Sequence, residues 1–448
     1  MSKLRDWVIT TPLTSISAAT LAIAVAGGCT AGTPDNSVDA GHHDSGPDIP
    51  TTPDVASEAP EDAPDDIDID GPDSAGWYYP PDCPNADPTG DDDDDGWTVE
   101  EGDCNDCTDY MNPGAFDYPN TNADENCDGI IDNDTYECDD GIAEDSNDAM
   151  DAARAIGLCR VAVRDAPKPT RTWGVLSAKY VFPDGTTASK QPKTTGSDCI
   201  SGGGKFGSPP HPKSHGILTK FGKNVDPQGG KAMLALSSGI ARSGAVESSP
   251  GGAPMCTASN TPPGFPQQSA SACPGQPVPT DKTAHDGIAL ELEIRVPSNA
   301  KGFSFDFNFF TYEFPEFVCK QYNDFFVALM WPAISDKAVN NNIAFDKDGN
   351  PVSVNNGFLE VCKQEGIYGG KHFTCALGNE QLKGTGFDGA GATGWLRTSS
   401  PVEPGEIIKL RFAIWDAKDE GFDSTVLIDN FTWHLKELPA ETERPPIK

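Results

Sequence analysis

From Thr30 to Met150 the chain has no lysine and no arginine, against 37 aspartates and glutamates. Such a segment cannot hold nucleic acid or an anionic membrane surface by charge, and it attracts cations. No histidine lies between His43 and His211, so a metal site in that span has no imidazole, and copper lacks the donors it prefers. The His42 and His43 pair reads as solvated tail. No apolar run reaches the ~18 residues that mark a membrane-spanning helix. GxSxG, HExxH and a glycine-rich phosphate loop are all missing. His211, His215, His285, His372 and His434 are scattered without metal-ligand spacing. Carboxylates are plentiful, but nothing marks two of them as an acid–base pair. The chain therefore reads as non-enzymatic.

What is present is unevenly placed. The net charge is −37, yet residues 151–448 hold 30 basic and 31 acidic residues. The acidity belongs to the front of the chain, and a nearly neutral body follows. At 448 residues there is room for two or three domains and a sizeable core.

Lys3 and Arg5 start a basic N-terminus, and the apolar ISAATLAIAVAGG leads to Cys29. Small residues before a cysteine resemble a bacterial lipoprotein signal. That resemblance implies a signal peptide over 1–28, a lipidated Cys29 as membrane anchor, and an exported protein at the outer membrane or cell surface. A cleaved secretory signal and an uncleaved anchor helix are the alternatives. Residues 29–76 are rich in Asp, Pro, Ser, Ala and Gly with few large apolar side chains. Nothing there offsets the entropy of ordering, which predicts a disordered acidic linker acting as a stalk.

Setting Cys29 aside leaves 12 of the 13 cysteines, an even number that in an exported chain predicts disulfides. Cys104 and Cys107 form a CxxC. Without a second CxxC, and in acidic surroundings that disfavour a thiolate, the pair reads as members of two separate structural disulfides.

Residues 77–140 hold the metal candidate. In a DxDxDG loop the glycine takes the sixth position. Gly96 thus places Asp91, Asp93 and Asp95 at one, three and five, with the Trp97 carbonyl at seven. Gly129 repeats the register: Asp124, Asn126 and Asp128, then the Ile130 carbonyl, with Asp132 at nine. Alternate side chains of a tight loop face one central ion, and an all-oxygen donor set suits Ca²⁺. An EF-hand would close on a twelfth-position Glu, but Gly102 and Thr135 stand there. Asp103, Asp106 and Asp109 are placed to supply the missing oxygens. The order DxDGW, GDCND, NPGAF, NCDGIID resembles a metal-binding repeat of exported bacterial proteins. That resemblance implies disulfide-stapled metal loops. Between stalk and body, the stretch reads as a rigid, metal-set spacer.

Residues 141–160 predict a short helical connector, with a helix over roughly 147–157, Ser146 or Asn147 as N-cap, and an end near Gly157. Strand patterns dominate from Trp173. IALELEIRV puts Ile288, Leu290, Leu292, Ile294 and Val296 on one face. FSFDFNFF puts Phe303, Phe305, Phe307 and Phe309 on one face and Ser304, Asp306 and Asn308 on the other. Period two with Gly and Pro between the runs predicts a β-sandwich over 161–440. Residues 186–230 and 242–285 read as long loops tied down by Cys199, Cys256 and Cys273. FNFFTYEFPEFV, QYNDFFVAL and FAIWDAKDEGFDSTVLIDNF resemble the choice-of-anchor L domain, which implies an exported β-rich surface module without a known catalytic mechanism.

Within that domain, Glu313, Glu316, Asn323, Asp324, Asp416, Asp419, Asp423 and Ser424 fall at strand ends or turns. The acids among them read either as a second metal or ligand site or as caps that satisfy loop backbone groups. Taken together, the fold class is mainly β: a β-sandwich body behind a small disulfide-stapled calcium-loop module and a disordered acidic stalk. The functional expectation is a membrane-anchored surface protein that binds a glycan or a surface protein, with Ca²⁺ as its cofactor and no nucleic acid partner. A secreted glycan-active hydrolase using a carboxylate pair, or a purely structural envelope protein, are the alternatives.

Overall fold

The computed structural model describes residues 87–190, 199, 205–242, 254–266, 272–276 and 280–445. The signal, Cys29 and the acidic linker lie outside the described residues. Among the described residues, no helix is long and apolar enough to cross a membrane.

The period-two runs become strands. In chain order they are β1 (Gly174–Val181), β2 (His215–Leu218), β3 (Met233–Ser237), β4 (Ala258–Asn260), β5 (Thr283–Arg295), β6 (Gly302–Thr311) and β7 (Phe325–Trp331). The short β8 (Val352–Ser353), β9 (Val361–Cys362), β10 (Gly366–Tyr368), β11 (Lys371–Phe373) and β12 (Gly391–Ala392) follow. The chain then forms β13 (Leu396–Pro401), β14 (Ile407–Ala417), β15 (Ser424–His434) and β16 (Glu441–Glu443). One sheet runs β1-β5-β14-β7-β8 with β4 on β5, and the other runs β16-β13-β6-β15-β3-β2 with β12 on β6.

The core lies between these sheets. Leu290, Leu292 and Ile294 of β5 meet Phe303, Phe305 and Phe307 of β6 there, together with Val426 and Ile428 of β15. Phe305 packs edge-on against Phe412 of the facing sheet with ring centroids 5.0 Å apart. The predicted inward faces of both runs are thus in place. The polar face of β6 is buried as well: all ten residues of the strand are covered. Leu382, Phe387 and Ala392 lie in the apolar layer with Phe310, Ala235 and Leu427, on the outer side of this sheet. The polar groups beneath are paired rather than wet. Asp306 accepts from Arg397 Nε and Nη2 at 2.7 and 3.0 Å, and Asn308 Nδ2 donates to Gln381 Oε1 at 3.0 Å.

The predicted helix is α1 (Ala149–Ala155). Its N-cap is Asp148, which accepts from the Met150 N–H at 2.9 Å, and not Ser146 or Asn147. Ser146 is used one step away, accepting from the Asp148 N–H and donating to Asp151. Gly157 follows at φ +98°, the left-handed turn that ends a helix. Ala152, Ala153 and Ile156 enter the sandwich core.

The acidic loops are packed into the sandwich and not strung ahead of it. Phe116 is fully buried in the main core, with its ring centroid 5.0 Å from Tyr136 and 5.1 Å from Trp173. Asn299, in the β5–β6 turn, accepts from the Phe116 N–H and donates to the Phe116 carbonyl, both at 2.9 Å. The described residues all belong to one compact unit.

Disulfides join Cys104–Cys127, Cys138–Cys159, Cys199–Cys256, Cys273–Cys319 and Cys362–Cys375. Cys107 is also disulfide-bonded, so the CxxC contributes to two separate bridges as expected.

His215, on β2, carries a pH dependence. It is buried and stacks on Tyr180 with ring centroids 3.8 Å apart. Burial, then the Arg242 charge, pushes its pKa down to about 3. The unfolded chain therefore binds a proton that the folded one refuses, and stability falls as pH drops from about 6.5 towards 3. The loss from this group reaches up to about 5 kcal/mol at the acid end. His215→Gln should flatten the acid limb of stability against pH in urea titrations; an unchanged limb would remove His215 from the account.

Candidate metal centre

The first acidic loop winds as its glycine requires. Gly96 sits at φ +92°, a conformation that side chains resist, although no atom would obstruct a Cβ there. Asp91, Asp93 and Asp95 alternate with the exposed Asp92 and Asp94. The 3₁₀ turn over Val99–Glu101 brings the chain back, capped by Thr98, and delivers Asp103 and Asp106 to the same place. Oxygens of Asp91, Asp93 and Asp106 lie within 4.8 Å of one another, as do those of Asp93, Asp95 and Asp103. Asp93 is common to both groups. The Cys104–Cys127 bridge holds this turn beside the second loop.

The hydrogen bonds divide the labour within each carboxylate. Asp91 accepts from the Gly96 N–H at 3.0 Å, Asp93 from Asp95 at 3.1 Å, and Asp103 from Asn105 at 2.8 Å. Each bond uses one oxygen to shape the loop. The other oxygens, Asp91 Oδ1, Asp93 Oδ2 and Asp103 Oδ2, are buried without a hydrogen bond of good geometry, although the Thr108 N–H also lies on the Asp93 carboxylate. Buried carboxylate oxygens left so are costly unless a cation meets them. Asp106 accepts from the Asp92 N–H at 2.9 Å.

Asp95 is tied to the body. It accepts from the Trp97 N–H and from Asn112 Nδ2, both at 2.7 Å. Asn112 in turn accepts from Ser298 Oγ at 2.5 Å, in the β5–β6 turn. Burial, with the neighbouring carboxylates adding to it, pushes Asp95 up to about 7 and Asp103 to about 6, and raises Asp93 as well. These are carboxylates that favour a proton or a cation over standing bare. Trp97 is buried against Gly114, with Lys168 Nζ 5.6 Å above its ring. Asp109 faces outward, 3.8 Å from Lys301 Nζ.

The second loop closes on itself. Asp124 accepts from the Asp128 and Gly129 N–H groups at 3.0 and 2.8 Å. Asn126 accepts from Asp128 at 3.1 Å. Asp128 takes the Ile130 N–H at 2.9 Å and Asn133 Nδ2 at 2.8 Å. Asp132 turns back to the N–H groups of Thr121 and Asn122. The Ile130 side chain is exposed. Here the oxygens already have donors, so the first loop is the more open of the two.

The acids at the strand ends separate into two sets. Glu313, Asp324, Asp416 and Asp423 are each no more than 2% exposed, whereas Glu316 is exposed and Asp419 half-buried. Asn112 and Asp286, a buried acid of β5, escaped sequence reasoning. Neither carries a spacing signal, since their roles arise from contacts distant in sequence.

The described residues thus form a disulfide-braced, two-sheet antiparallel sandwich with an acidic loop docked on its core. Residues 228–432 match the family model described as the Choice-of-anchor L domain. This span runs from just before β3 into β15 and supports a surface-associated protein. No curated protein matches the chain. Among solved structures, one titled as TmCBM61 in complex with beta-1,4-galactotriose matches at 11% identity. It covers 49% of this chain and 81% of its own, with a TM-score of 0.17, too low to carry an argument.

Proposed function

We propose that this is an exported, surface-anchored binding protein whose first acidic loop holds Ca²⁺ through Asp91, Asp93, Asp95, Asp103 and Asp106. The observation that carries the metal reading is the pair of buried oxygens on Asp91 and Asp103 that meet no donor, each beside the Asp93 carboxylate. Oxygen-only ligands on a tight loop suit a hard cation. The anchor is lipid on Cys29, at the outer membrane or cell surface.

The sandwich is the binding element in this reading. An open groove of about 460 Å³ is lined by Gln276, Lys320, Gln321, Tyr322 and Lys418, among others. Lys418 Nζ stands 5.3 Å over the Tyr322 ring and donates to Gln321 Oε1, so the groove offers a cation on an aromatic and amide floor, polar groups of the kind small-molecule sites use. The hydrolase alternative is the weaker one, because Glu313 and Asp416 are almost wholly buried and out of reach of a polymer. A glycan array probed with the full chain in Ca²⁺ tests the proposal. Retention of a restricted set of glycans, lost in Tyr322→Ala, is expected. Empty arrays would leave the structural envelope reading, and polysaccharide cleavage abolished by Glu313→Gln would establish the hydrolase.

A further inference from the structure

The open groove of about 460 Å³ gathers positive charge without a carboxylate. Four segments meet in it: the loop after β6, the residue after β14, the turn of the β10–β11 hairpin and the chain just past Cys273. The Cys273–Cys319 bridge fastens two of them together. Gly369, in the hairpin turn, comes so near that a Cβ there would stand 2.3 Å from the Val318 carbonyl oxygen. The volume is that of a small-molecule site.

None of the eight lining residues is acidic, in a chain with 69 Asp and Glu, and two are lysines, Lys320 and Lys418. Both are exposed, and among the described residues neither forms an ion pair. They rest on rings instead. Lys320 Nζ lies 5.1 Å from the Phe317 centroid and Lys418 Nζ 5.3 Å from that of Tyr322. Phe317 in turn meets Tyr322 edge-on at 5.3 Å and Phe422 at 5.0 Å. The acids that follow Lys418 turn towards the interior: Glu420 lies 3.9 Å from the buried His285, and Asp419 acts on the buried Glu313. Glu316 is exposed but is not part of the lining. Lys418 holds φ +83° and Phe422 φ +65°, a left-handed conformation that costs residues with a Cβ and gathers at ligand sites.

We propose that this groove binds an anionic glycan, with a sugar ring on the Tyr322 face and the ring's carboxylate or sulfate taken by Lys320 and Lys418. The inference rests on the glycan reading above and names the class of sugar. Lys418 stands over the Tyr322 ring. A neutral sugar would have to displace a cation from an aromatic face and offer it no charge in return. An anionic sugar draws the ammonium to itself and bares the ring for contact. Lysine is a point charge on a flexible stem, so it takes either anion and demands no bidentate geometry.

Short oligouronates and sulfated oligosaccharides, each beside its methyl-esterified or desulfated counterpart, are titrated calorimetrically into the full chain in one calcium-containing buffer. The charged member of a pair is expected to bind about tenfold more tightly or better, the worth of one charge-assisted contact, and to weaken as salt rises. Which pair responds, the uronate or the sulfated one, tells the two anions apart. Lys320→Gln with Lys418→Gln should bring the charged member down to the affinity of the neutral one and leave the melting temperature unchanged, since both lysines are exposed. Tyr322→Ala should remove binding of both members. Equal affinity for charged and neutral members, or charged binding untouched by the lysine substitutions, overturns the inference and leaves the glycan reading standing. Binding of no sugar in the panel overturns both.

Discussion

Removing calcium with EDTA should lower the melting temperature of the folded body by roughly 3–5 °C, in a single transition. A ligand that binds only the native state at a hundred times its Kd stabilises by about 2.7 kcal/mol. For large domains this translates into about 2 °C per kcal/mol or somewhat less. One transition is expected because the loop has no core of its own. Phe116 is in the sandwich core, and Asp95 reaches Ser298 through Asn112. Strain in the emptied loop is therefore felt at the β5–β6 turn. Calorimetric scans with Ca²⁺ and with EDTA decide the point. An early, separate transition in EDTA would mean that the loop melts alone as an independent spacer.

Asp134→Ala should destabilise the folded chain by about 3–4 kcal/mol, the range for breaking a buried, hydrogen-bonded ion pair. Asp134 is the polar joint between the acidic stretch and the sandwich. One oxygen accepts from Arg160 Nε and Nη2 at 3.0 and 2.6 Å. The other accepts from Trp173 Nε1 at 3.1 Å and the Asp117 N–H at 3.0 Å. Deleting it orphans a buried indole N–H, a buried backbone N–H and a partly buried guanidinium at once. Asp134→Asn keeps an acceptor and should cost less, about 1–2 kcal/mol. Urea titrations measure both. A loss under 1 kcal/mol for the alanine variant would show that water replaces the carboxylate.

How much of this could be read in advance depends on the distance over which each signal acts. The alternation in FSFDFNFF and IALELEIRV is local, so the inward faces of β6 and β5 were legible. The burial of Ser304, Asp306 and Asn308 was not, because their partners His434, Arg397 and Gln381 lie 130, 91 and 73 residues away in sequence. The winding of the first acidic loop was legible through Gly96, whose position fixes which aspartates face inward. Asn112 was not, since its role is defined by Ser298 nearly two hundred residues away. The strand-end acids were visible as acids. Whether they cap turns or face one another depends on the register of β14 with β7, which no local pattern encodes. The N-cap fell on Asp148 because Ser146 forms the turn before it.

The structure also revises the weight given to the two acidic loops. Their spacing is nearly the same, and a sequence argument treats them alike. In the second, Asn133 donates to Asp128 and Asp132 serves the Thr121–Asn122 turn. In the first, oxygens of Asp91 and Asp103 are buried without a donor, and carboxylates cluster within 4.8 Å of one another. A calcium account should therefore centre on the first loop.

Calcium counting by equilibrium dialysis tests that account most directly. The wild-type chain and Asp93→Asn with Asp95→Asn are dialysed against the same micromolar-to-millimolar calcium series, and bound metal is measured per chain. The double variant is predicted to hold one calcium fewer than the wild type while keeping its disulfides and its far-ultraviolet spectrum. Equal counts in the two proteins would contradict the assignment of calcium to the first loop.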